Sequence, residues 1–507
     1  MRAKRSFLNL FTGIGSQIIT ISLGIFIPRL LLVNFGSEVN GLVVSISQII
    51  VYFSLLEAGV GAASLQALYK PAADGDKNSI NEILAATSSY YKKTGIFYFF
   101  AVILLSAIYP MVIHSNINKA TVMLVILFTG LGGAFNYYFQ GKYKILLMSE
   151  GKNYIITSIS TIINILSNLA KIVLLLLGFN MIAVQASFFI LTLVQILIFI
   201  MYINRNYNWI NLSATPNFKA ISHKNSALIH QISSLVFSNT DVLILTLFSN
   251  LRIVSVYVLY NMVFTMVETI ASTVNGSITF LLGQSYQNNK SKFMRLFNTY
   301  EVYYMAFVFS LFTITYILIL PFMKLYTSGI DDINYIDKWL PVLFISIKLL
   351  INARSACNNI INIAGHFKQT QIRSISETII NIVLSIVFVN LLGIYGVLLG
   401  TLVAVIYRTI DIIIYTNKYI LGRNPWVTVR RWLTNVGCFI VLINISNGIN
   451  INPTSYKTFI IFAVILTVIL LPIYFIFISI FERESFRYTK SFFYKRLIKN
   501  NVQSLKH

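Results

Sequence analysis

Five cations lie inside stretches that are otherwise almost wholly apolar: Arg29, Lys171, Lys348, Arg354 and Arg408. A charge at the centre of a membrane-spanning helix costs roughly 2.5–3.5 kcal/mol on insertion scales. Each of these residues therefore needs a reason to be where it is. Anion binding is one such reason. Guanidinium and ammonium groups lining a water-filled cavity attract a charged headgroup and make or break no bond. The bland alternative is that each cation snorkels to the interface or neutralises a structural acid. Arg29, Lys171, Lys348 and Arg354 are the candidates for a cationic cavity. Arg408 and Asp411 are three residues apart on one helical face and are expected to pair with each other.

The acids are fewer. Asp241 in SNTDVLIL is flanked by apolar residues, and Glu57 (YFSLLEAG) and Glu268 (FTMVETIA) occupy corresponding places in a repeat described below. All three are candidates for coupling or gating, through a proton or sodium site, or else for structural pairing with an intramembrane cation. Glu377 in SISETIIN opens a helix and suits a helix N-terminus. Cys357 and Cys438 both fall in apolar spans, which argues against a disulfide framework or a thiolate metal site. No G-x-x-x-x-G-K-[ST] phosphate loop is present, so an ATP motor in this chain is not expected. No catalytic residue, metal or cofactor is expected, and coupling to H+ or Na+ stays open.

The elements that carry these residues follow from hydropathy. A mean hydropathy of +0.74 and 56% hydrophobic residues exclude an ordinary soluble protein. A spanning helix needs about 20 apolar residues. The spans read as roughly 7–33, 41–68, 95–113, 121–141, 154–177, 183–203, 225–249, 253–282, 298–322, 339–363, 374–392, 396–417, 433–449 and 457–480. The runs are continuous and do not alternate, so they are helices and not barrel strands. The first follows MRAKR, is too long for a signal-peptide core and lacks a small-residue cleavage site, so it reads as a retained helix. The segment 78–93 is expected to be an amphipathic helix on the cytoplasmic face.

The net charge of +23 is mostly a topology signal. Of 39 Lys and Arg residues, 29 fall in the termini and in alternate connections, while the opposite connections hold only Lys119, Arg252, Lys324, Lys338 and Lys457. This positive-inside split predicts that both termini are cytoplasmic. The charges are spread over short segments, which argues against nucleic acid as a partner. The tail after Glu482 is basic and is expected to attract anionic lipid headgroups.

The chain also repeats itself. SISTIIN begins at Ser158 and SISETIIN at Ser374, each shortly after a glycine (Gly151, Gly365), while Glu57 and Glu268 match at nearly the same offset. The offset covers six spans, an even number, so both copies enter the membrane in the same direction. The expected fold is an all-α integral membrane protein of about 14 transmembrane helices. It comprises two six-helix lobes related by a pseudo-two-fold along the membrane normal, plus two C-terminal helices. The N-lobe would be 1–203, a cytoplasmic linker 204–224, the C-lobe 225–417, the last two spans 418–480 and the basic tail 481–507.

Three segments carry a family likeness: LLVNFGSEVNGLVVSISQIIVYFSLLEAGVG (31–61), FSNTDVLILTLFSNLRIVSVYVLYNMV (237–263) and NIAGHFKQTQIRSISETIINIVLSIVFVNLLGIYGVLLGTLVAVIYR (362–408). With them the chain resembles the Wzx-type polysaccharide repeat-unit flippases of the MOP (MATE-like) superfamily. The resemblance implies alternating access and a substrate of undecaprenyl-diphosphate-linked oligosaccharide. It further implies location in the bacterial cytoplasmic membrane, and a polysaccharide polymerase and chain-length regulator as partners. Relatives line a central cavity with cations that meet the diphosphate. Arg29 matches a first-helix arginine in position, and Lys171, Lys348 and Arg354 match by type and approximate depth. Two other functions stay open. One is an ion-coupled multidrug or small-molecule exporter of the same superfamily, whose cavity for cationic drugs should be acidic and apolar; this chain has more intramembrane Arg and Lys than that favours. The other is a membrane glycosyltransferase or polymerase, for which Asp331 and Asp332 in TSGIDDINY are the only suggestive acids.

Overall fold

The computed structural model describes residues 2–57, 60–113, 115–221, 225–448 and 452–491. Among the described residues there is no strand. Among the described residues, twelve helices are long and apolar enough to cross a membrane. Helix is the expected outcome, because a helix satisfies its own backbone where no water is available. The protein is an all-α, multi-pass membrane protein.

The tally of spans differs from the sequence reading for local reasons. Helix α1 (Arg2–Tyr52) runs through the expected boundary between spans one and two, and only Gly36 leaves helical geometry there, at φ 78° and ψ 179°. That positive φ suits glycine, and it breaks one long rod into two helical halves. The second expected span ends early. A 3₁₀ turn, Phe53–Leu56, separates α1 from α2 (Val60–Asp74), with Glu57 in the turn that follows. Helix α8 (Asn225–Phe248) contributes a shorter apolar stretch, Ile232–Phe248, to the described residues.

The chain groups into two compact units. One holds Met1–Val258 with Gly329–Ile333, and the other holds Leu259–Ser328 with Asn334–His507. The first contains α1 and α2, α3 (Lys77–Val112), α4 (Lys119–Phe135), α5 (Gly141–Ser149), α6 (Asn153–Leu176), α7 (Met181–Asn206) and α8. Helix α9 (Leu251–Asn288) begins in it and continues in the second. One core gathers Leu42, Ile46, Val102, Val125 and Leu251, and another gathers Leu68, Leu84, Leu146, Leu147 and Ile221.

The segment 78–93 departs from expectation. It is not a surface helix but the first part of α3, continuous with the membrane-spanning part, and it buries Ile80, Ile83, Leu84 and Ala86 in the second of those cores. Asp76 starts it as an N-cap, accepting hydrogen bonds from the Asn78 and Ser79 backbone N–H groups and the Ser79 hydroxyl. Those donors, the Ser79 hydroxyl first, hold the Asp76 carboxyl below the usual carboxylate range.

The second unit contains α10 (Lys290–Tyr326), α11 (Trp339–Ala353), α12 (Ser355–Ile363), α13 (Phe367–Leu392), α14 (Ile394–Tyr415), α15 (Trp426–Asn447) and α16 (Tyr456–Phe481). Helix α10 is its central rod, with Phe297, Phe309 and Phe312 fully buried. Helices α13 and α14 form a tight hairpin. A Cβ added at Gly400 would lie 2.5 Å from the Ser385 backbone nitrogen, so only a residue without one lets the two backbones approach this closely. Helices α15 and α16 both pack on α10. The outer side of α16 leaves Ile460, Val464, Val468 and Ile476 exposed, as a lipid-facing helix should. The repeat noted in the sequence reappears locally: Gly151 and Gly365, at φ 71° and 73°, precede α6 and α13 in their respective units.

Candidate functional site

Among the expected cations of the first unit, Arg29 follows Pro28 inside α1 and is half-buried. Lys171 lies on α6, which packs against α1. The Lys171 ammonium stands 4.6 Å over the Phe188 ring of α7, and among the described residues no carboxylate lies within 4.0 Å of it. A ring face attracts a cation by about 0.5–2 kcal/mol, less than the cost of burying a charge. Lys171 is therefore a half-buried cation with no counter-charge of its own among the described residues.

Glu57 is held differently. Tyr91 donates a hydroxyl hydrogen bond to it, and Tyr137 and Lys144 lie near enough to feel its charge. Tyr91 in turn has little freedom, because a Cβ at Gly141 would fall 2.2 Å from its ring. The NYYFQ stretch is a π-helical turn, Asn136–Gln140, which brings Tyr137 to Glu57 and Asn136 Oδ1 to within 3.3 Å of Lys144 Nζ. Such turns recur at functional positions in helices. Lys142 is only 5% exposed and donates to the Tyr138 carbonyl. Lys142 and Lys144 fall between the expected spans 121–141 and 154–177; the helix runs on without a break to Ser149 and carries both. Asp241 is buried and accepts a 2.9 Å hydrogen bond from Tyr257.

In the second unit, acids meet cations directly. Lys348 on α11 pairs with Glu268 on α9 at 2.7 Å. Arg354, at the joint between α11 and α12, pairs with Glu377 on α13 at 2.7 Å. Glu377 also meets Arg408 at 3.6 Å, Arg408 meets Asp411 at 2.5 Å, and Asp411 meets Arg373 at 2.6 Å. Glu377 thus ties α13 to Arg354 and Arg408, where the sequence suggested only a helix-terminus role. This chain of five groups has three guanidiniums for two carboxylates. The surplus is visible at Arg354, whose Nη1 is buried without a hydrogen-bond partner among the described residues. Buried guanidinium donors are costly to leave unmet.

A further cluster was not foreseen. Glu301 on α10 is fully buried and receives Arg423 at 2.7 Å, Arg431, and the Thr428 hydroxyl at 2.7 Å. Arg431 continues to Glu482 at 2.9 Å, just past α16. The sequence reading treated these arginines as topology charges. It is here that the two final helices are fastened to α10. Among the described residues no group of three or more His, Cys, Asp or Glu side chains forms a metal site.

No protein-family model and no curated protein sequence matches the chain. Solved structures do. The lipid II flippase MurJ in an inward closed conformation aligns with a TM-score of 0.65 and 16% identity, over 94% of this chain and 99% of that one. A multidrug resistance MATE family transporter of the MOP superfamily, inward-facing, aligns at 0.59 and 14%, over 85% and 96%. A MATE structure in a bent conformation aligns at 0.52 and 16%, over 88% and 98%. Those proteins are a flippase and transporters. The shared property is the fold, along nearly the whole chain.

Proposed function

We propose that this protein is a MOP-superfamily flippase, of the Wzx type, that moves undecaprenyl-diphosphate-linked oligosaccharide repeat units from the inner to the outer leaflet of the bacterial cytoplasmic membrane. It would do so by alternating access and would serve the assembly of a surface polysaccharide. Both termini are taken as cytoplasmic, and the lobes as 1–203 and 225–417. The polymerase and chain-length regulator of that assembly are the expected partners.

The observation that carries the reading is Lys171, a half-buried intramembrane cation without a carboxylate partner among the described residues, on the helix packed against the one that bears Arg29. A diphosphate supplies the missing counter-charge. The unmet Nη1 of Arg354 supports the same reading. Lys348 is the weaker member of the set, because Glu268 already neutralises it. The direction of travel is favourable: each negative charge moved outward across an inside-negative membrane gains about 2.3 kcal/mol per 100 mV. Asp241, Glu57 and Glu268 remain the candidates for coupling or gating.

The likeness to MATE structures favours one rival, an ion-coupled exporter of small molecules. The experiment that separates the two is a deletion strain, in which the amount and leaflet of the polyprenyl-linked oligosaccharide are measured alongside surface polymer. Accumulation on the cytoplasmic side with loss of polymer supports the flippase. Normal polymer without accumulation refutes it and favours the exporter.

A further inference from the structure

The end of α16 and the helix that follows it, over 483–491, enclose a groove with Tyr303 of α10. Its volume is about 880 Å³, within the roughly 300–1,000 Å³ of small-molecule sites. The wall is apolar. Tyr303 and Phe475 stack at 5.5 Å, and Ile476, Ile480 and Phe486 continue it. The rim is cationic, made of Arg483, Arg487 and Lys490. These three sit at i, i+4 and i+7, so one helical face presents them together. Glu484, the acid of this segment, does not line the groove. Among the described residues, the ion pairs at this end engage Arg430 and Arg431 with Glu482 and leave the three rim cations out.

The groove is built, not a by-product of a loose tail. Glu482 is pinned by Arg431, which is itself pinned by Glu301. The Glu482 carbonyl then accepts the first helical hydrogen bond of the tail, from Phe486 N–H at 3.1 Å. The Tyr303 hydroxyl is tied to Ser479 at 3.0 Å. The buried cluster therefore fixes where the rim cations stand relative to the last turns of α16. Those turns belong to the most apolar span of the chain, and cations follow immediately, so the groove straddles the boundary between hydrocarbon and headgroups.

We infer that this groove binds an anionic phospholipid of the membrane leaflet it faces, with acyl chains along Phe475, Ile476 and Ile480 and the phosphate at Arg483, Arg487 and Lys490. On the topology proposed above, that leaflet is the cytoplasmic one. Both parts of the groove are needed: the apolar wall alone would hold any lipid, and the rim selects negative charge. The site is independent of the transport reading, since it uses none of the cations assigned to the substrate.

The test is lipid retention by the full chain in nanodiscs of phosphatidylcholine doped with phosphatidylglycerol, read by native mass spectrometry. Wild type should retain phosphatidylglycerol in preference to phosphatidylcholine. A juxtamembrane cation contributes about fivefold, so R483Q/R487Q/K490Q should weaken that retention by on the order of a hundredfold. The control K70Q/K92Q/K93Q removes three other cations from the same side and should change retention little. Equal retention of both lipids, an unchanged triple variant, or an equal loss in the control would overturn the site. Displacement of phosphatidylglycerol by undecaprenyl phosphate at equal concentration would also overturn it, because it would reassign the groove to the transported lipid.

Discussion

Asp332 reaches the break in α1 and occupies the donors that the break exposes. Its carboxylate accepts 2.7 Å and 2.6 Å hydrogen bonds from the Ser37 N–H and hydroxyl, one residue past Gly36. Arg252 reinforces this corner, donating to the Asp332 carbonyl at 3.5 Å with Glu38 4.0 Å away. An acid that the sequence offered as a possible enzyme residue is thus engaged in holding two halves of a kinked helix. Asp332 is exposed, so the effect is modest: about 1 kcal/mol, or roughly fivefold, is expected. Asp332→Ala should speed amide exchange at Ser37 by that factor, and Asp332→Asn should speed it less. Identical exchange in wild type and both variants would show that the contact does not protect the break.

Glu301 makes a larger prediction. Removing a fully buried carboxylate leaves Arg423 without its acid and Arg431 with Glu482 alone, and breaking a buried pair costs about 3–5 kcal/mol. Glu301→Gln should lower the apparent melting temperature of the purified protein by several degrees, while the exposed Glu484→Gln should not. Equal melting temperatures would mean that α15 and α16 are fastened by apolar contact alone.

This cluster also marks the limit of what was legible in the sequence. The spans were readable because twenty apolar residues have few alternatives: 154–177 became Asn153–Leu176, and 457–480 became Tyr456–Phe481. Pairings across helices were not readable, because hydropathy gives depth but not azimuth. Arg408 with Asp411 was visible as a spacing within one helix. Arg354 with Glu377 and Lys348 with Glu268 required knowing which helices touch. Residues 78–93 were misread for a related reason, since polar residues at a helix start look like a surface helix when the helix that continues them is cut off at Gly95.

The Lys348–Glu268 pair lends itself to a double-mutant cycle. Neighbours in one ion pair couple by about 0.5–3 kcal/mol. Lys348→Gln and Glu268→Gln should each lower thermal stability, and the double variant should lose less than the sum. Strict additivity would contradict the pair.

Close helix approach can be tested through glycine. A Cβ at Gly41 would sit 1.9 Å from the Leu251 carbonyl oxygen, whereas at Gly276 nothing lies within 4 Å. Gly41→Ala should reduce the yield of folded protein and lower its melting temperature, with overpacking costing about 1–3 kcal/mol. Gly276→Ala should be neutral or slightly stabilising, as alanine is the better helix former. A harmless Gly41→Ala would show that α1 does not pass this close to the start of α9.

We propose that Arg29 and Lys171 meet an anionic headgroup. The most direct measurement is transfer of polyprenyl-diphosphate-linked oligosaccharide to the outer leaflet in cells carrying Arg29→Gln with Lys171→Gln, with membrane insertion checked alongside. The account predicts that the variant inserts normally, that the lipid-linked unit stays on the inner leaflet and that surface polymer is lost. Normal transfer and polymer in cells containing the inserted double variant would contradict it.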